Sequence, residues 1–177
     1  MSDLSVRHLL RDHQEAQKVL SELESLLDAL DSDLAWTAER CATFRRISNF
    51  FTHNLCCLVR KEDEILYPSL NGLFPPDFGP LALLRGEHEA LCRNFQHLCE
   101  VGQSLCQGEN SPQALKDFAR FGRGAAEVLR DHLYKEKRVL FPMVTRFLSP
   151  ELDAELLQKM ENLRTAKDKP ESLKQQS

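Results

Sequence analysis

Five ionisable side chains interrupt stretches that otherwise carry leucine at helical spacing. His13 lies in the stripe Leu9, Leu10, Leu20, and Glu62 lies in the stripe Leu55, Leu58, Leu66. His88 stands between Leu84 and Leu91, while His132 and Glu136 stand between Val128/Leu129 and Val139/Leu140. Apolar residues at three- and four-residue steps mark the buried face of a helix, so these five groups point inward. An uncompensated buried carboxylate costs several kcal/mol, and two carboxylates among three imidazoles therefore need a partner. A mutual hydrogen-bond network is one solution. A metal ion is a stronger one, because imidazole nitrogen and carboxylate oxygen form an iron- or zinc-type ligand set. The His132-x-x-x-Glu136 spacing puts both side chains on one face, one turn apart. The E-x-x-H spacing of ferritin-like bundles is absent. His88-Glu89-Ala90-Leu91-Cys92 lacks the second histidine of a zincin peptidase. No nucleophile–base constellation supports a hydrolase.

Long helices must hold these groups. Of the 177 residues, 30 are Leu and only 9 are Val or Ile, and 7 Gly and 8 Pro are too few for dense turns. That composition favours helices over a sandwich or barrel. A first helix is predicted over about 3–30, with Asp31 to Trp36 as a polar connection and Thr37 as the next N-cap. A second ends near Leu70. Pro80 opens a third, which Gly108 closes, and Ser111-Pro112 opens a fourth that runs to about Leu148. Ser149-Pro150-Glu151 starts a shorter fifth. The expected organisation is an all-α, antiparallel four-helix bundle over 1–148, a short helix over 149–164 and a disordered tail over 165–177.

The two halves are alike. Asp12-His13 matches Glu87-His88, and Leu58 through Pro68 matches His132 through Pro142 without a gap, both at offsets near 75 residues. They read as a pair of similar helical hairpins. At ~1.5 Å per residue the five inward groups fall within a few turns of one another near mid-bundle.

Charge and targeting signals exclude several classes. The net charge is −4 and the basic residues are scattered, so nucleic acid is not an expected partner. Apolar runs are only a few residues long, which argues against a membrane span. Met1-Ser2-Asp3-Leu4 has no basic segment followed by an apolar one, so the cytoplasm is the expected compartment. The six cysteines are then expected to stay reduced, with Cys92, Cys99 and Cys106 as core or boundary residues of one helix.

Asp12-His13, Glu62 through Pro68, Glu87-His88 and His132-x-x-x-Glu136-x-x-x-Leu140-Phe141-Pro142 together resemble the hemerythrin-like (HHE) cation-binding domain, over about Val6 to Phe147. The resemblance implies a bundle holding two iron ions, with Glu62 and Glu136 as bridges and His13, His88 and His132 as terminal ligands. It also implies binding or sensing of oxygen, nitric oxide, redox state or iron, with a small diatomic ligand or peroxide as the partner at the metal. Weak peroxidase or oxidase activity would use the same iron. The cofactor expected is one or two iron ions, with zinc or another divalent metal as the alternative for the same donors.

One departure stands out. The family's second helix carries H-x-x-x-E, yet four residues before Glu62 stands Leu58. One metal position keeps His88, His132 and both bridges, and the other keeps only His13 and the bridges. His53 falls on the opposite side of its helix from Glu62, and His97 is opposite His88. His8 falls near the bundle end, and all three are expected at the surface. Cys92 occupies a position where some members have a second histidine, and is expected to be a core cysteine rather than a ligand. The alternative function is a bundle that has lost its metal and acts as a protein-interaction module.

Overall fold

The computed structural model describes residues 3–73 and 79–167, and it contains helices and no strand among them. The rods are α1 (Leu4–Asp33), α2 (38–69), α3 (Pro80–Cys106), α4 (112–147) and α5 (Pro150–Lys167). The first four form an antiparallel ring in which α1 packs on α2 and α4, and α3 packs on the same two. The fifth lies across α1 and α2. The fifth helix runs three residues beyond the expected end at 164, and the rest of the expected tail, 168–177, lies outside the described residues. No helix among the described residues is long and apolar enough to cross a membrane.

The helix ends follow from local chemistry. Thr37 and Ser111 accept hydrogen bonds from the backbone N–H of Arg40 and Ala114, as N-caps should. α1 runs past Leu30 to Asp33 because Arg40 reaches back over its end. One arm of the guanidinium donates to the Ala29 carbonyl at 2.8 Å, and the group also pairs with Asp33. Leu34 then stops the helix in the left-handed region at φ 50°. Around this end Trp36, Phe44 and Phe118 pack edge to face. Gly102 lets α3 close on that cluster, since a Cβ there would sit 2.4 Å from the Phe44 ring.

α2 and α4 are not plain α-helices. Each widens into a π-turn that starts at an inward glutamate, Glu62–Leu66 and Glu136–Leu140, closed by Tyr67 N–H to Glu62 O and Phe141 N–H to Glu136 O. A proline follows at once in both, Pro68 and Pro142. Its ring would clash with the carbonyl four residues back in a regular helix, and the wider turn relieves that. A third π-turn, Phe51–Leu55, has no proline beside it.

Two features lay outside the sequence reading. Cys41 and Cys106 form a disulfide that ties the start of α2 to the end of α3, which overturns the expectation that all six cysteines stay reduced. It closes a span of 65 residues, a constraint worth about 4 kcal/mol in the chain-entropy account. The pairing was not readable because the two positions meet only once the second and third helices are set side by side. The other feature is the cap of α1. Asp3 makes no side-chain cap there. Asp153 of α5 supplies it, accepting from Leu4 N–H at 2.7 Å and Ser5 N–H at 3.0 Å, and from the Ser5 hydroxyl. Asp153 is fully buried, and Leu156 and Met160 of the same helix are buried in the core. We expect Asp153→Ala to lower unfolding free energy by about 2 kcal/mol, because it removes a cap and strands buried donors. Denaturant unfolding measures this. Hydrogen exchange in the first turn of α1 should quicken at the same time.

Candidate metal centre

The five inward groups meet. His13 from α1, Glu62 from α2, His88 from α3, and His132 with Glu136 from α4 are all buried, the two glutamates completely. They form two clusters that share Glu62. In one, Glu62, His88 and His132 bring ligand atoms within 4.8 Å of one another, and in the other His13, Glu62 and Glu136 do so. His88 Nε2 is 3.2 Å from Glu62 Oε2, and His132 Nε2 is 3.4 Å from Glu136 Oε2. His13 Nε2 lies 3.3 Å from Glu62 Oε1 and 3.0 Å from Glu136 Oε2. Both carboxylates therefore lie between the two halves.

A second layer orients the rings. His88 Nδ1 is 3.0 Å from Asp63 Oδ2, and His132 Nδ1 is 3.2 Å from Glu87 Oε2. Lys135 holds Glu87 in turn. An imidazole that donates from Nδ1 to a carboxylate presents Nε2 as a lone pair. The two Nε2 atoms so prepared stand 3.0 Å apart, where bare lone pairs repel. Tyr67 donates its hydroxyl to Glu136 Oε1 at 2.7 Å and lies parallel to His88, 5.8 Å from it. In the other half Phe141 is the residue matching Tyr67, and it packs 5.0 Å from His13 without a hydroxyl to give.

The residues present fit a cation. Glu62 Oε2, Glu136 Oε2 and His13 Nδ1 are buried without a hydrogen-bond partner among the described residues. The imidazole nitrogens near the two oxygens are out of line for a hydrogen bond. Carboxylate oxygens that converge on imidazole nitrogens in a dry core, without an aligned donor, are what a metal ion satisfies and a proton network leaves frustrated.

Leu58 is buried at the place on α2 that matches His132 on α4. Its absent imidazole leaves Asp12, the match of Glu87, without a ring to orient. Lys61, buried at 2% side-chain exposure, holds Asp12 as Lys135 holds Glu87, donating to Oδ2 at 2.6 Å, and it also donates to His8 Nε2 at 2.9 Å. His8 is thus buried rather than solvated at the bundle end, and burial and the Lys61 charge both lower its pKa. Lys61 was missed although it was findable, since it repeats Lys135 as Asp12 repeats Glu87. His53 and His97 are exposed as expected. His53 stays so even though its own segment is a π-turn, and its ring donates to the Asn49 carbonyl at 2.9 Å. Cys92 is exposed, neither core nor ligand.

The hemerythrin HHE cation-binding domain model matches residues 4–144, most of the chain and all five inward groups. The chain belongs to that family. No curated protein and no solved structure matches it. As a hemerythrin-like domain it holds a His/Glu cluster that could bind metal cations.

Without metal, protons do the neutralising. Burial disfavours imidazolium, but the carboxylates beside the rings outweigh it, lifting His13 and His88 to about 9 and His132 to about 11. Burial alone would raise Glu62, yet the three histidines hold it well below its ordinary value of 4.5. The histidines' contribution to metal-free stability is complete below their ordinary value of 6.5 and is lost as pH rises through about 9 and then 11. The Glu62 contribution is complete above 4.5 and is lost as pH falls through its depressed folded value. Thermal unfolding of metal-free protein should therefore peak between these limits and decline above pH 6.5, while metal loading, which displaces those protons, strengthens over the same rise. Equal pH profiles for the metal-free and metal-loaded forms would refute this. Asp63→Asn, which keeps the shape and removes the charge that orients His88, should weaken metal binding about 10- to 100-fold in a competitive chelator titration.

Proposed function

We propose that this hemerythrin-like domain is a non-haem iron protein that handles or senses oxygen, nitric oxide, redox state or iron at an asymmetric centre. The observation that carries the proposal is the pair of clusters joined by Glu62, one with two oriented imidazoles and one with a single imidazole. His88, His132, Glu62 and Glu136 would hold the stronger position, and His13 with the same two glutamates the weaker. Bound iron would supply reversible redox change and an open position for a small diatomic ligand or peroxide. Zinc or another divalent ion suits the same donors.

The protein's own part is to orient and to exclude water. Asp63 and Glu87 fix two ring tautomers, and the Tyr67 hydroxyl holds Glu136 by one oxygen while the other faces the imidazoles. Burial and the charges of Glu62 and Glu136 raise the Tyr67 pKa, so its hydroxyl keeps its proton and remains a donor. On the weaker side Leu58 also forms part of the wall of a cleft of about 1170 Å³, open to solvent between α1 and α2 and edged by His8, Asp12, His53 and Lys61. That placement favours small-ligand approach from the side with fewer ligands.

Reconstitution with ferrous iron, followed by metal analysis and an absorption spectrum, tests the proposal. One tightly held ion per chain is expected, with a second that a chelator removes first. Less than one ion per several chains would favour the interaction-module alternative, which Leu58 by itself suggests. Leu58→His should convert the weak position into a tight one, so that two ions per chain rather than one survive the chelator. Unchanged stoichiometry and spectrum would show that position 58 does not face the centre.

A further inference from the structure

The seam between α2 and α3 is lined with sulfur at regular intervals. The helices are antiparallel, and residues seven apart return to the same side of such a pair. Cys41 is bonded to Cys106, and seven residues along, Ser48 Oγ stands 3.2 Å from Cys99 Sγ. The next step on α3 is Cys92. On α2 it would be Leu55, but the π-turn Phe51–Leu55 inserts one extra residue and moves the position to Cys56. Helix contact brackets this level on both sides, since the Phe51 and Phe95 rings stack at 4.0 Å and Glu62 meets His88 at 3.2 Å. Cys56 and Cys92 are both exposed thiols, whereas Cys57 is buried and Cys99 is partly covered. Neither exposed thiol takes part in the metal clusters.

We propose that Cys56 and Cys92 are a reversible dithiol–disulfide pair, oxidised by low-molecular-weight disulfides of the glutathione class. Cys56, as thiolate, attacks one sulfur of the small disulfide and expels one thiolate. Cys92, after losing its proton to solvent, attacks the Cys56 sulfur of the mixed disulfide and expels the second. Two protein thiols are oxidised by two electrons, and the small disulfide is reduced to two thiols. Partial burial and then the charge of a Cys56 thiolate push the Cys92 thiol pKa upward, so the two sulfurs are within electrostatic reach of each other. The product is a second strap across the α2–α3 seam, between the Cys41–Cys106 bond and the level of Glu62 and His88. It would record the state of the thiol pool without any change at the metal.

The test uses the full chain, treated with oxidised glutathione over a range of ratios to reduced glutathione. The reaction is quenched by alkylation and the chain is mapped by mass spectrometry without reduction. A Cys56–Cys92 linked peptide is expected, with Cys57 and Cys99 alkylated. In Cys92→Ser the reaction should stop at the mixed disulfide, so glutathione on Cys56 should rise about tenfold over wild type, as an intramolecular second step requires. Glutathione on both cysteines of the wild type without a linked peptide, no reaction at either, or equal adducts in the two proteins would overturn the proposal. Both side chains are exposed, so the serine variant retains the fold, and circular dichroism checks this.

Discussion

Two carboxylates sit at zero exposure in the middle of a leucine bundle, and the surrounding design follows from neutralising them. Each buried leucine contributes roughly 2 kcal/mol, while each unpaired buried charge costs several. The centre therefore removes about as much stability as a few core residues supply, unless cations answer it. Three imidazoles do so in part, yet they leave Glu62 Oε2 and Glu136 Oε2 without aligned donors. Burial of these groups without a ligand makes little sense as stabilisation alone. It makes sense as a site held ready, whose binding free energy returns what the polar core costs.

The near-repeat of the two hairpins explains how so few residues build this, and its breaks explain the asymmetry. Among the matched pairs that differ across the halves, four bear on the centre: Leu58 against His132, Phe141 against Tyr67, Asp12 against Glu87, and Asp63 against Lys137. The α3–α4 half carries an imidazole oriented by Glu87, and Tyr67 gives its hydroxyl to Glu136. The α1–α2 half has leucine where the ring should be, so its acid keeps only the matching lysine contact, Lys61 on Asp12. The contacts that remain there run from Asp12 to Lys61 to His8, and they border the solvent-open cleft.

Most of the bundle was legible because it rests on period and punctuation. The stripes of leucine and the caps at Thr37 and Ser111 are local signals, and the five inward groups were visible as interruptions of those stripes. What escaped depends on two elements at once. Asp153 reads as a surface residue of the fifth helix until that helix lies across the start of the first. Cys41 and Cys106 read as reduced until their helices are set in register. His8 reads as a surface residue near the bundle end, and only its contact with Lys61, which is itself bound to Asp12, reverses that. The π-turns had a visible cause in the prolines after Tyr67 and Phe141, but the turn at Phe51–Leu55 had none.

Ligand number is only half of the difference between the two metal positions. A histidine whose far nitrogen is anchored enters coordination with its tautomer and ring angle already set, and His88 and His132 are both anchored by carboxylates. His13 has no partner for Nδ1, and Phe141 confines its ring by packing alone. The position built on His13 is therefore short of a ligand and also less prepared in the ligand it retains. Both effects act in the same direction, and both make the His13 cluster the less prepared of the two for a cation.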